Sequence, residues 1–352
     1  METKAAGAGN FFEDFRVGQI LHHAPPRTLT AGDQALYTAL YGARFATQSS
    51  NELARGLGLP SSPIDDLLVF HTVFGKTVPE VSLNAIANLG YADCRFLKPV
   101  FAGDTLTAKT EVLGTRENAN RESGIVYVRS EGFNQRNELV LTFARWVMVR
   151  KRSAAAEVPT ASVPDLPKAV AANALHVFPQ ERLARAHRIE SGGSKFFDDY
   201  APGERFDHAD GMTVEEAEHM MATRLYHNTA RVHFNAHTER QGRFGRRIVY
   251  GGHVVSVARA LSYNGLENAL FVAGINAGRH VSPCFAGDTI YAWSEVLEKS
   301  APSARNDWGF LRLRTIGLKD RAATDYPDKQ SDGSYDPAVL LDLDYWVVVP
   351  RG

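Results

Sequence analysis

The sequence predicts an α+β protein made of two tandem, similar domains, each an antiparallel sheet wrapped around one central helix. Three observations predict it. The segment RFLKPVFAGDTLTAKTEVL, from Arg95 to Leu113, recurs as RHVSPCFAGDTIYAWSEVL from Arg279 to Leu297, so a domain is duplicated. Each copy carries a helical stretch that is apolar all round, the signature of a buried helix. After that stretch, each copy runs in β-branched and aromatic residues between Gly, Asn and charged turns, as strands do.

The elements follow in the same order in both copies. Each begins with aromatic and acidic text, NFFEDF near Phe11 and KFFDDY near Phe196, and then a glycine turn at Gly18 or Gly203. A capped helix comes next, with Thr30 before AGDQALYTALYG and Thr213 before VEEAEHMMATRLYH; acidic residues in both first turns suit the helix dipole. The buried helices are LLVFHTVFGKTV and HVVSVARALS. TLTAKTEVLG, IVYVRSEGFN, LVLTFARWVMVR and their counterparts read as the strands. Trp146 to Val149 matches Trp346 to Val349 once an insertion from Thr324 to Pro337 is allowed in the second copy. The pattern fits a hotdog domain, and two of them in one chain form a double hotdog, a covalent pseudo-dimer with its sheets side by side. The expected division is 1-152 and 194-352 for the two hotdogs. Between them, 153-193 is an Ala-, Pro- and Ser-rich linker or wrapping segment.

Composition narrows the function. The chain has 352 residues, enough for two ordinary domains, with 44% apolar and 22% charged residues. Thirty-nine basic against 40 acidic residues leave a net charge of -1, so the electrostatic footprint of nucleic-acid binding is missing. Two cysteines, Cys94 and Cys284, build neither a disulfide framework nor a cysteine zinc site. The amino terminus lacks the pattern of a signal peptide and no apolar run is long enough for a membrane span. A soluble cytoplasmic protein is expected, with neither nucleic acid nor membrane as partner.

The turns Pro99-Val-Phe-Ala-Gly-Asp-Thr105 and Pro283-Cys-Phe-Ala-Gly-Asp-Thr289 resemble the P-x-(F/Y)-x-G-D-(T/K) turn of the MaoC-like dehydratases. As residues they serve geometry, since Gly permits positive φ and Asp bonds nearby backbone. More narrowly, LYTALYGARFATQSS, the stretch from Leu67 to Val100 and the text around Gly251 are similar to the bacterial mesaconyl-CoA hydratases, also called β-methylmalyl-CoA dehydratases. The resemblance spans both halves outside the linker. It implies reversible hydration of mesaconyl-CoA to β-methylmalyl-CoA in the ethylmalonyl-CoA route of acetate assimilation. It also implies that coenzyme A is part of the substrate, with no separate cofactor and no metal.

The resemblance places the chemistry after the first helix, where the family pattern is G-D-x-N-P-x-H. The second copy reads His227-Asn228-Thr229-Ala230-Arg231-Val232-His233, and the first reads Gly42-Ala43-Arg44-Phe45-Ala46-Thr47-Gln48. His233 stands at the family's catalytic histidine, opposite Gln48, so only the second copy is expected to be active. Asn228 replaces the family's Asp; it cannot exchange protons at neutral pH but can hold a water. Either His233 alone moves the proton, or a second group does so, with His227 and Glu218 as candidates. Gly251 and Gly252 open the buried helix and would offer backbone N-H groups to a thioester oxygen, or else serve tight helix packing. Arg231 is the candidate for the substrate's free carboxylate, against an exposed loop arginine; Arg44 is a weaker one. His71 and His253 read as satisfied core histidines, and His22-His23 as a surface pair.

Other classes lack their signatures. No dinucleotide, Walker or serine-elbow motif is present. Within the hydro-lyases, an R-specific enoyl-CoA hydratase of other acyl chains stays open. An acyl-CoA thioesterase would place a carboxylate on the central helix, and neither quoted helix contains one; a non-catalytic acyl-binding protein is the remaining rival. A homo-oligomer is open, because hotdog sheets often associate further.

Overall fold

The computed structural model describes residues 8-176, 191-302 and 306-352. The strands are β1 (Ile20–Thr28), β2 (Ala85–Phe96), β3 (Thr105–Glu117), β4 (Ser123–Phe133), β5 (Leu139–Arg150), β6 (Arg205–Asp207), β7 (Met212–Thr213), β8 (Phe271–His280), β9 (Thr289–Ser300), β10 (Trp308–Lys319) and β11 (Val339–Pro350). They form one sheet of order β1-β3-β4-β5-β2-β8-β11-β10-β9-β6, with β7 also on β9. The halves meet where β2 pairs antiparallel with its own counterpart β8, through Tyr91 with Gly278 and Cys94 with Ile275. Two edges that would otherwise expose unpaired backbone are thereby joined.

Among the described residues, four helices of more than one or two turns lie among these strands: α1 (Ala31–Tyr41), α2 (Asp66–Thr77), α3 (Glu216–Leu225) and α4 (Gly251–Leu261). In α2 every residue from Leu67 to Thr77 is buried, and α4 is buried from Gly252 to Leu261. Thr30 caps α1 as its sequence predicts: its hydroxyl accepts from Asp33 N at 3.2 Å, its own N-H donates to the Asp33 carboxylate at 2.8 Å, and Gly42 closes the helix at φ 58°. In the second copy the expected cap is corrected. Thr213 ends β7, its hydroxyl 2.8 Å from that of Thr289, and α3 begins later, after Glu215, without a side-chain cap. Thr213 is the counterpart of Thr28, which meets Thr105 in the same way at 2.7 Å.

The repeated motifs do architectural work. Asp104 and Asp288 accept from Phe101 N and Phe285 N at 2.9 and 2.8 Å, while Gly103 and Gly287 take φ of 101° and 93°. A Cβ on Gly124 or Gly309 would sit 2.3 or 2.4 Å from the ring of Phe12 or Phe197, which explains the aromatic opening of each copy. His23 is not a surface residue. It is buried, with Nδ1 2.7 Å from Glu80 and Nε2 2.7 Å from Thr110; its counterpart His208 meets Ser294 at 2.8 Å. The alternation of β1 turns His23 inward and leaves His22 exposed.

The described part of the segment between the copies lies across the sheet. Ser162 bridges Thr115 of β3, Val170 N donates to Asn276 of β8 at 2.7 Å, and Trp346 of β11 donates to Val170 O at 3.1 Å. The remainder of that expected segment, apart from Ser191 to Gly193, lies outside the described residues. Among the described residues no helix is long and apolar enough to cross a membrane.

Candidate active site

A cavity of about 440 Å³ opens between the two copies. The second copy contributes Asn228, His233, Tyr250, Gly251 and His280, and the first contributes Phe74, Asn88, Tyr91 and Arg145. No Asp or Glu is in its lining.

His233 ends a short helical turn, Arg231–His233, and is half-buried. Its Nδ1 lies 3.1 Å from the Ile248 carbonyl oxygen, so Nδ1 carries the proton and Nε2 keeps a lone pair. Burial is the largest influence on the ring and holds it down to about 4, with the neighbouring His219 and His280 pushing the same way. The imidazole is therefore neutral at physiological pH. Tyr250 packs edge-on against it, with ring centres 5.5 Å apart.

Asn228 is buried, and its Oδ1 accepts from Ala230 N at 2.9 Å. The side chain thus caps its own loop with the oxygen and keeps the amide N-H donors. The loop is held from behind by the first copy, because a Cβ on Gly75 of α2 would lie 1.9 Å from Tyr226 O. Only glycine lets the two backbones approach so closely.

Gly251 and Gly252 are the first residues of α4, where helical N-H groups have no partner further back in the helix. Gly251 lines the cavity. A Cβ there would sit 2.4 Å from the His280 ring, and one on Gly252 would sit 2.5 Å from His71 and 2.3 Å from Tyr250. Gly252 is buried and outside the cavity lining, so its contribution is packing.

Three expectations are corrected. Arg231 is exposed and does not line the cavity, because the turn it begins points its side chain to solvent. His227 is exposed at φ 52° and Glu218 is likewise outside the lining, so neither is placed for the second proton. His280 lines the cavity instead, with Nε2 3.2 Å from Tyr91 OH and its ring held down to about 4 by burial. The central helix of the first copy does carry a carboxylate: it starts at Asp66, one residue before the quoted stretch.

In the first copy Asp66 lines a pocket of only about 20 Å³. Asp66 occupies the place of Gly251, and its Oδ2 accepts from Val272 N at 2.8 Å. Burial first, and Asp65 second, raise its carboxyl to about 8. Phe96 stands opposite His280, and Phe271 helps fill the remaining void of about 20 Å³. Gln48 spends its amide on Leu270 O at 3.3 Å. His71 and His253 are core histidines as expected, bonded to Ser256 at 3.1 Å and Tyr41 at 3.0 Å; burial holds both rings down to about 3.

Two fused hotdogs with one collapsed and one open site, the open one holding a neutral histidine beside a glycine-started helix, place the chain among the MaoC-like double-hotdog dehydratases. The comparisons make this narrower. The chain belongs to the mesaconyl-CoA hydratase family, whose profile matches residues 1–329. It is 59% identical over 343 residues to the β-methylmalyl-CoA dehydratase of Chloroflexus aurantiacus, covering 97% of both chains. Identity to the mesaconyl-CoA hydratase of Cereibacter sphaeroides is 55% over 345 residues, 98% of this chain and 99% of that one. Among solved structures, a protein described as a MaoC domain dehydratase from Chloroflexus aurantiacus superposes with a TM-score of 0.97 at 58% identity, covering 100% of both chains. A double-hotdog protein from Mycobacterium tuberculosis gives 0.75 at 25% identity, covering 97% and 99%.

The sequence misses Arg145, Tyr91 and His280. The available signal was an arginine on the inward register of β5, shared with Val147 and Val149.

Proposed function

We propose that the chain is a hydro-lyase that adds water to mesaconyl-CoA, giving β-methylmalyl-CoA, and catalyses the reverse dehydration. Coenzyme A is the handle of the substrate and no further cofactor takes part. The observation that carries the reading is the tautomer of His233: Nδ1 is engaged by Ile248 O, so Nε2 keeps the lone pair that can accept a proton in the cavity that Gly251 also lines. Water held by the Asn228 amide adds through oxygen to the β-carbon and passes its proton to Nε2. The double-bond electrons move toward the thioester carbonyl, whose oxygen takes the Gly251 N-H. His233 then returns the proton to the α-carbon. Negative charge developing on the thioester favours the imidazolium at that moment, which offsets the burial that keeps the free ring neutral.

The thioesterase reading loses its carboxylate base, since Asp66 is bonded to Val272 N in a space too small for an acyl chain. Incubation of pure protein with mesaconyl-CoA should lower the enoyl-thioester absorbance without releasing free thiol. Thiol release at the rate of absorbance loss would replace the hydratase with a thioesterase.

A further inference from the structure

Arg145 is an uncommon residue to find where it lies. It is 0% exposed, on a strand whose inward neighbours are Phe143, Val147 and Val149. An ionised side chain at such depth normally pairs with a carboxylate, because an uncompensated buried charge is expensive. Among the described residues Arg145 has no such partner. Its guanidinium lies over the Phe74 ring at 4.1 Å, donates to Thr77 Oγ1 at 2.8 Å, and has Ser82 Oγ at 3.3 Å. Nε has no acceptor at all.

The surroundings lack the missing charge too. Arg145 lines the cavity that holds His233, and no acidic side chain lines that cavity. Asn88, in the same wall, has neither side-chain atom bonded although both are buried. The counterpart of Arg145 in the second copy is Tyr345, so the fold itself does not need an arginine at this point of the strand. Arg145 is separated from His233 by two rings in contact, Phe74 with Tyr250 at 5.7 Å and Tyr250 with His233 at 5.5 Å.

We propose that Arg145, supported by Asn88, is the anchor for the free carboxylate of the acyl group, making the cavity selective for dicarboxylic thioesters. The inference rests on the hydratase reading for its substrate. A trans butenedioic skeleton carries its carboxylate at the end opposite the thioester, so a carboxylate on the first copy's wall sets the double bond toward His233 and the thioester toward Gly251. A planar guanidinium recognises a carboxylate through paired N-H donors, which a lysine cannot reproduce. The first copy, inert in its own site, would thus supply substrate selection to the second.

Binding of two unreactive thioesters, succinyl-CoA and butyryl-CoA, reads the anchor separately from catalysis. The unaltered protein should bind succinyl-CoA the more tightly, and Arg145→Met should cut that preference by at least about thirtyfold, as loss of one partner of a buried charge pair does. Arg145→Lys should keep only part of it. If Arg145→Met does not fold, Ser82→Asp keeps the arginine and places a competing carboxylate beside it, and should abolish the preference equally. Equal weakening of both thioesters in these variants, or no preference in the unaltered protein, overturns the anchor. A preference that is lost as expected, in a protein that does not hydrate mesaconyl-CoA, keeps the anchor and overturns the hydratase reading.

Discussion

His233 and Ile248 are joined by a 3.1 Å contact from ring Nδ1 to carbonyl oxygen, and that contact decides which nitrogen of the histidine can act. The carbonyl belongs to the segment that leads into α4. The proposed base and the proposed oxyanion donor are therefore tied to one piece of backbone, only three residues apart at Ile248 and Gly251.

His233→Ala should lower turnover by at least about a hundredfold, the lower bound for general acid-base catalysis. Gln48→Ala should leave the rate nearly unchanged, and comparable losses at both positions would mean two working sites. The pH profile follows from the ring held down to about 4: kcat/KM should stay level from neutrality to roughly pH 5 and fall only as His233 gains its proton. An acid limb centred near the ordinary histidine value would assign the base to another residue.

Asn228 should act through geometry. Asn228→Ala removes the N-H donors and frees Ala230 N from its 2.9 Å bond, and a loss of about two orders of magnitude is expected. Asn228→Asp keeps an acceptor for Ala230 N, so activity should survive with an altered pH dependence. Unchanged kinetics in the Ala variant would remove Asn228 from the site.

Gly251→Ala should damage turnover more than folding, because its Cβ meets the His280 ring in the cavity, whereas Gly252→Ala meets His71 and Tyr250 in the core. Overpacking there should cost about 1-3 kcal/mol of stability. Urea midpoints and rates measured on the two variants separate the roles. His280→Gln should retain activity to within about tenfold; a loss as deep as that of His233→Ala would move the proton-return step to His280.

Acid should destabilise the fold below the ordinary histidine value. His71, His208, His233, His253 and His280 are held neutral by burial at about 3 to 4. Below about pH 6.5 the unfolded chain takes up their protons and the folded chain does not, so stability falls with pH at about 1.4 kcal/mol per unit per histidine. Asp66, raised to about 8, and Asp65, raised by burial, act in the opposite sense over that window, since the folded chain holds their protons. Five histidines outweigh two carboxyls, and the urea midpoint should drop between pH 6.5 and 4.5. A flat midpoint would contradict the buried neutral rings.

Duplication, helix burial and the turn text were legible in the chain because repeats, periodicity and glycine-aspartate turns are local patterns. His233 and Asn228 stand out because their loop resembles the family's motif, and the alignment with a copy that has Gln48 instead of the histidine supports that choice; Gly251 stands out because it opens the buried helix. Arg231 was chosen because it stands at the motif's Pro, two residues before His233, and it is exposed outside the cavity lining, since nearness in sequence says nothing of which way a turn points its side chains. Arg145, Tyr91 and His280 reach the cavity from β5, β2 and β8, and the antiparallel pairing of β2 with β8 joins the two copies' walls. That pairing is a long-range contact between segments almost two hundred residues apart, and no local pattern encodes it. The sequence by itself determined which copy holds the histidine; the tertiary structure decided that the other copy supplies the opposite wall, because the residues that line the space come from both copies and are joined only through the shared sheet and core.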